Sequence, residues 1–246
     1  MKNQTLQNIL MNEKTDKTKG GIYHKLQIEM TYNSNHMEGS SLSHDQTRYI
    51  FETNTIGLGN TAVNVDDIIE TSNHFRCIDA IITHANDTLN ETFIKNLHKT
   101  LKNATSASRL DWFAIGDYKK LPNEVGGKQT TSPKNVPNAI QNLLKEYNSK
   151  TKITLEDIID FHVKFETIHP FQDCNGRIGR LIMLKECLKN NIVPFIINDD
   201  LKLFYYRGLQ NWQTEKGYLL DTCLSAQDIF KTYLNYFKIS YEQNPK

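Results

Sequence analysis

The chain has 246 residues, enough to bury a substantial core in one domain or in a domain with an extension. With 29 Lys and Arg against 28 Asp and Glu its net charge is +1, so no broad basic field points to nucleic acid or an anionic membrane. No apolar run approaches the roughly 18 residues of a membrane span. The first residues, Met-Lys-Asn-Gln-Thr-Leu-Gln-Asn, lack a hydrophobic signal region, and the four cysteines (77, 174, 187, 223) lack metal-ligand spacing, so they read as reduced thiols of a cytoplasmic protein.

In chain order, the first twenty residues are polar and read as a loose or partly disordered arm. Tyr23 to Met37 is a weak helix candidate, with Tyr23, Leu26, Met30 and Met37 roughly on one face and Gly39 as its terminator. Ser43-x-x-Gln46 is a capping box that opens a helix to about Thr53. Gly57-x-Gly59-Asn60-Thr61 marks a loop, and a long helix over Val65 to Asn86 follows it. Glu91 to Leu101 is helical through Phe93, Ile94, Leu97 and Leu101. From Gly116 to Pro137, three prolines and three glycines in polar surroundings favour a hairpin or loop. Val136 to Tyr147 returns to helix, and Leu219 to Tyr241 closes the chain with one or two more. No internal repeat or low-complexity tract interrupts this mostly helical pattern.

The densest chemistry lies in His169-Pro-Phe-Gln-Asp-Cys-Asn-Gly-Arg-Ile-Gly-Arg180. Before it, Thr154 is an N-cap for a helix carrying Leu155, Ile158, Ile159, His162, Phe165 and Ile168. Pro170 disfavours helical geometry at His169, so that helix ends with the imidazole at its mouth. After Gly176 a second apolar periodicity, Ile178, Leu181, Ile182, Leu184 and Leu188, runs to about Lys189. A tight loop that leads into a helix N-terminus offers unpaired N–H groups and the positive end of the dipole, which is an anion cradle. Gly176 lets the backbone approach a ligand, and Arg177 and Arg180, three apart, can grip phosphate oxygens. Asp173 offers the hard oxygen that Mg²⁺ prefers beside nucleotide phosphates, and His169 can accept a proton from a hydroxyl near neutral pH. Each feature alone is an ordinary turn or helix end; their convergence in one junction is not.

This segment resembles the signature of Fic-domain proteins, His-Pro-Phe-x-[Asp/Glu]-Gly-Asn-Gly-Arg-x-x-Arg, at His169, Pro170, Phe171, Asp173, Asn175, Gly176, Arg177 and Arg180. The resemblance implies an all-α Fic-type domain with a short β-hairpin flap and an N-terminal inhibitory helix. It implies transfer of AMP from Mg²⁺-bound ATP to a hydroxyl of a target protein or of the chain itself. His169 would be the general base and Asp173 the metal ligand, with Asn175, Gly176, Arg177 and Arg180 cradling phosphates and Cys174, Ile178 and Gly179 completing the ATP-binding segment. Phe171 would anchor the loop in the core. Cys174 departs from the usual Gly: a positive φ there would cost about a kcal/mol, and a thiol at a helix N-terminus among arginines is a candidate for a lowered pKa.

Ser34-Asn-His-Met-Glu38-Gly39 resembles the family's inhibitory pattern, [Ser/Thr]-x-x-x-Glu-[Gly/Asn]. By resemblance Glu38 reaches Arg180 and takes the space of the γ-phosphate; in some relatives the same Glu aligns a water that removes AMP. Gly116-Asp-Tyr-Lys-Lys-Leu-Pro-Asn-Glu-Val-Gly126 is similar to the family's flap, a hairpin that clamps the target peptide, with Asn123, Glu124, Val125 and Gly126 at its tip and Lys119 where Arg is usual. Tyr205 and Gln213 align with positions that line the family's adenine pocket. The organisation expected is an N-terminal extension over 1–60, a core over 61–215 with the flap at about 116–130 and the loop at 169–180, and C-terminal helices over 216–246. Alternatives stay open: a de-AMPylating hydrolase, a transferase of UMP, phosphocholine or phosphate, or a non-catalytic nucleotide-binding module. ATP and a protein bearing a Ser, Thr or Tyr hydroxyl are the expected partners, with neither nucleic acid nor membrane; a homo-oligomer is not decided.

Overall fold

A computed structural model describes residues 4–57 and 62–240. Among these, the helices are α1 (Leu6–Thr15), α2 (Ile22–Met37), α3 (His44–Thr53), α4 (Val65–Thr83), α5 (Glu91–Leu101), α6 (Val136–Asn148), α7 (Leu155–Ile168), α8 (Asn175–Lys189), α9 (Asp199–Asn211) and α10 (Gly217–Tyr236). One antiparallel hairpin, β1 (Glu124–Val125) and β2 (Lys128–Gln129), pairs Glu124 with Gln129 and Val125 with Lys128. No helix among the described residues is long and apolar enough to cross a membrane.

Helix α8 is the axis of the molecule. It is buried without a break from Arg177 to Leu188, the pattern of a helix packed on all sides. Ile178, Leu181, Ile182, Leu184 and Leu188 join one hydrophobic cluster that gathers residues from Leu6 to Leu234, while Met183 and Cys187 face a second, with Tyr205 and Trp212 of the C-terminal region. Helix α7 lies antiparallel beside α8, its start fixed by the Thr154–Asp157 capping box and its end by His169 in the left-handed region at φ 51°. The approach of α7 to α8 depends on Gly179: a β-carbon there would lie 2.4 Å from Nδ1 of His162.

Helix α2 packs on α4 through polar contacts as well as apolar ones. Thr31 meets His74 at 2.9 Å, Asn35 donates to Thr71 at 3.1 Å, and Gln27 donates to Asp79 at 3.0 Å. This polar buried face is why the α2 sequence looks only weakly amphipathic. The helix ends as its sequence suggests: Gly39 has φ 95°, its N–H reaches His36 O, and the N–H of Ser40 reaches Asn35 O, a Schellman closure.

The structure corrects three sequence expectations. The N-terminal stretch is not a loose arm: Thr5 caps α1, Leu6 and Leu10 are buried, and Gln7 donates to Ile82 O at 3.0 Å. Leu6 and Leu10, with Ile9 and Met11 packed beside them, dock the helix on the core. Helix α4 stops at Thr83 rather than Asn86, because Ala85 and Asp87 turn their carbonyls onto the buried ammonium of Lys185 at 3.2 and 2.6 Å. The last helix runs Gly217–Tyr236, with Lys238 at φ 55° beyond it; Tyr241 lies outside the described residues, as do positions 59–61 of the expected loop.

Gly179→Ala tests the axis. Helix propensity alone would favour Ala by about 1 kcal/mol. The new methyl, however, would strike the ring of His162, which is buried and held at Nε2 by the Tyr205 hydroxyl at 2.5 Å. Overpacking of about 1–3 kcal/mol should win, and thermal melting should show a Tm lower by several degrees. Gly57→Ala, with nothing within 4 Å of the added carbon, is the control that should not move.

Candidate functional site

The loop between α7 and α8 is closed by its own side chains. Phe171 is fully buried and stacks on His98 at 4.1 Å between ring centroids. Asn175 holds the loop ends together: its Oδ1 accepts the Phe171 N–H at 2.8 Å and its Nδ2 donates to Phe171 O at 2.9 Å. The Asn175 side chain is therefore spent on the loop and is not free to hold phosphate, as the sequence had suggested. Helix α8 starts with no side-chain cap, so its first N–H groups remain directed at the space beyond the loop. Gly176 keeps that space open, since a β-carbon would come within 2.4 Å of Glu38 Oε1.

Both arginines are buried and held by carboxylates. Arg180 donates through Nε to Ser34 Oγ at 3.0 Å, and through Nη2 to Ser34 O at 3.0 Å and Glu38 Oε1 at 2.6 Å. Burial works to raise the pKa of Glu38, but Arg180 and then Arg177 outweigh it and keep the carboxyl below its usual range. Arg177 is paired with Glu70 and donates to Cys174 Sγ at 2.9 Å. Glu70 also accepts from Lys102, whose ammonium donates to Asp173 Oδ2 at 2.9 Å. Beside this network a cavity of about 240 Å³ opens between the end of α2 and the start of α4, with Glu38, Gly39, Glu70 and Arg177 in its wall.

Asp173 is half exposed, and its Oδ1 accepts the Cys174 N–H at 2.6 Å. Burial raises its pKa, yet Arg177 and Lys102 hold it well below the usual carboxylate range, so it is permanently ionised near neutral pH. Oxygen atoms of Glu70 and Asp173 and the sulfur of Cys174 lie within 4.8 Å of one another. The fit to Mg²⁺ comes from Asp173 alone: Glu70 is committed to Arg177 and Lys102, and a protonated thiol is a poor ligand for a hard cation. A single exposed carboxylate is a donor set that such an ion uses when nucleotide phosphates supply the rest.

Cys174 takes the left-handed conformation at φ 67°, the geometry in which Gly is less strained. It is not the activated thiol that its position suggested. Burial, outweighing Arg177, pushes its pKa well above the usual value, so the thiol stays protonated. Ile178 and Gly179 are buried in α8, where Ile178 faces the core.

His169 is mostly buried, with Nδ1 3.4 Å from Glu166 O. Burial lowers its pKa, and the nearby Lys119 lowers it further, so the imidazole is neutral at pH 7. Lys119 ties the flap to this loop: its N–H reaches Pro170 O at 2.9 Å, and its Nζ reaches Thr130 Oγ1 at 2.6 Å and Asn123 Oδ1 at 2.7 Å. Burial brings its pKa down to about 8. Asn123 Nδ2 also donates to Phe171 O at 3.1 Å. Gly126 and Gly127, at φ 58° and 74°, make the two-residue turn that a tight hairpin demands, leaving Glu124 and Val125 exposed.

The sequence-derived adenine positions are not brought together as an open pocket. The ring of Tyr205 is 1 % exposed, so it presents no face to a base, while Gln213 is exposed in the turn after α9. Tyr206 is half-buried, with its hydroxyl 3.4 Å from Met37 O. Sequence reasoning missed Glu70, Lys102 and Glu166. The first two reach Arg177 and Asp173 across 107 and 71 residues, and no local pattern marks them.

Residues 88–187 match the family model described as the Fic/DOC family. The protein adenylyltransferase Fic of Aedes aegypti is 26% identical over 186 residues, which are 74% of this chain and 36% of that protein. The protein adenylyltransferase fic-1 of Caenorhabditis elegans is 25% identical over 183 residues, 72% of this chain and 35% of that protein. The chain thus spans about a third of the length of the curated relatives it matches. Its fold is that of a Fic-domain-containing signaling protein from Bacteroides thetaiotaomicron, with a TM-score of 0.75 at 23% identity, over 97% of this chain and 99% of that one. A Fic family protein from Desulfovibrio desulfuricans gives a TM-score of 0.70 at 20% identity, over 96% of this chain and 75% of that one. Loop signature, helical fold and these matches point the same way: residues 88–187, which include the loop and most of α8, match the Fic/DOC family model, and the chain shares the fold of Fic-domain structures.

Proposed function

We propose that the chain is an autoinhibited protein adenylyltransferase that moves AMP from ATP to a Ser, Thr or Tyr hydroxyl of a target protein or of itself. The observation that carries this reading is the convergence, within one turn, of a neutral His169, an ionised Asp173 and the uncapped start of α8. The hydroxyl oxygen attacks the α-phosphorus, the bond from that phosphorus to the β-phosphate oxygen breaks, and its electron pair leaves with pyrophosphate. His169 takes the hydroxyl proton at Nε2, since Nδ1 faces Glu166 O. The N–H groups of α8 and the two arginines hold the phosphate oxygens and the charge that builds on them. Mg²⁺, held by Asp173 and the phosphates, would neutralise the polyphosphate. The exposed edge of the β1–β2 hairpin suits a target segment added as a further strand.

The inhibitory role is assigned to Glu38. Its carboxylate occupies the Nη2 donor of Arg180 that a γ-phosphate would need, so the two compete for one site. A second reading, removal of AMP, draws on one observation: Glu38 stays ionised within electrostatic reach of His169 and could orient a water there.

With Mg²⁺ and α-labelled ATP, Glu38→Gly should label protein more strongly than wild type. Loss of a charge-assisted contact worth about 1.5–3 kcal/mol corresponds to roughly ten- to a hundredfold. Adding His169→Ala should abolish the label while thermal melting stays cooperative. Absence of label in both forms with ATP still bound would instead favour another donor or a binding role, and release of AMP from labelled protein by wild type would favour the hydrolase. The pH profile gives a separate check. Because the pKa of His169 is lowered, the base stays neutral below its ordinary value of about 6.5, so the rate at pH 6.5 should be close to that at pH 7.5. An acid limb centred above 7 would remove His169 from the role of base.

A further inference from the structure

His162 and Glu166, four residues apart, share one face of α7, and His169 stands at the C-terminal cap of the same helix. They form a polar strip inside the molecule. At one end Nε2 of His162 meets the Tyr205 hydroxyl at 2.5 Å, while its Nδ1 is buried without a hydrogen-bond partner. In the middle, Oε1 of Glu166 is likewise buried and without a partner. At the other end, Oε2 of Glu166 stands 4.0 Å from Nδ1 of His169. Gly179 of α8 makes room for the strip: a β-carbon there would crowd Nδ1 of His162 and lie 3.2 Å from Oε1 of Glu166.

An unpartnered carboxylate oxygen in the interior is costly, and a residue chosen only for packing would avoid it. The other oxygen of Glu166 points at Nδ1 of His169, the nitrogen opposite the one assigned to the hydroxyl proton. We infer that Glu166 is a positioning residue for His169, accepting a hydrogen bond from Nδ1–H when Nε2 takes up a proton. This inference rests on the transferase reading of the same site. Nδ1 lies 3.4 Å from the backbone oxygen of Glu166 and 4.0 Å from its carboxylate, so a proton on Nδ1 meets acceptors of one residue. Such contacts are often long before substrate binds and shorten in the reacting complex. No bond is made or broken at Glu166: the proton remains on Nδ1 and the carboxylate stabilises the imidazolium formed on proton transfer.

The charges around Glu166 decide how far it is ionised. On its own helix it faces His162 and His169; from α8 it faces Arg180, from the end of α2 Glu38, and from α9 the Tyr205 and Tyr206 hydroxyls. Lys119 of the flap and Asp173 of the loop act on His169 from the opposite side. Burial pushes the Glu166 carboxyl up to about 7, with Arg180 opposing the rise and Glu38 adding to it. Glu166 is thus partly ionised at neutral pH, and removal of Glu38 favours the ionised form that supports the base.

Two measurements on the full chain test the role. In the first, ring-labelled histidine is followed by NMR as a function of pH in nucleotide-free protein, with His169→Ala assigning the signal. The titration is run in the Glu38→Gly chain, where loss of the neighbouring carboxylate favours the ionised form of Glu166, and there Glu166→Gln should lower the pKa of His169 and raise the share of the Nε2–H tautomer. Glu166→Asp, which keeps the charge at shorter reach, should fall between the two. An unchanged titration of His169 in Glu166→Gln overturns the inference, whatever reaction the site performs. In the second, Glu166→Gln is placed in the Glu38→Gly background with labelled ATP. The expected result is a kcat lower by roughly tenfold or more with KM for ATP within about twofold, and an acid limb moved to lower pH. An unchanged kcat overturns it as well. If the Glu38→Gly chain transfers no label at all, the transferase reading has failed, and the NMR titration still decides the case for Glu166.

Discussion

Arg177 and Arg180 bring two permanent positive charges into the interior at the head of α8, where an uncompensated charge costs several kcal/mol. The architecture around them answers that cost. The end of α2 supplies Ser34 and Glu38 to Arg180, and α4 supplies Glu70 to Arg177. Lys102, at the end of α5, links Glu70 to Asp173 and so joins the loop to the same network. The segments that surround the cradle are therefore also the ones that balance its charge.

The site separates its titratable groups by environment. Asp173 is held ionised by two cations, whereas burial keeps His169 neutral and Cys174 protonated. His162 and His98 are each pushed down to about 3 by burial and serve as neutral packing groups, one under Tyr205 and one under Phe171. Glu166 is the exception, carried by burial to about 7. Groups close in sequence thus divide into fixed charges, fixed neutrals and one that responds to its neighbours.

Much of the helical framework was legible because its signals are local. The capping box at Ser43, the N-cap at Thr154, the proline after His169 and the period of Glu91–Leu101 each act over a few residues, and each element begins or ends where they indicate. What failed locally was decided at a distance. The first helix is held by its apolar residues on the core and by Gln7 on Ile82 of α4, and α4 itself is cut short by Lys185 from α8. The aromatic run at Tyr205 reads equally as platform or core, and only the packing of α9 against His162 makes it core.

The sequence by itself determined the loop: the order of residues from His169 to Arg180 sets a helix end, a turn and a helix start within twelve positions, and the backbone follows from that order. By resemblance to a known pattern it also directed Glu38 at Arg180; the contacts of Ser34 with the same arginine come from the fold. Tertiary structure alone decided which groups answer which charges. Glu70, Lys102 and Glu166 carry no motif; their roles follow from positions that folding brings within a few ångströms of the arginines, the loop carboxylate and the histidine. Electrostatic interactions depend on separation and burial, not on order along the chain, so a sequence pattern cannot reveal them until the helices are packed.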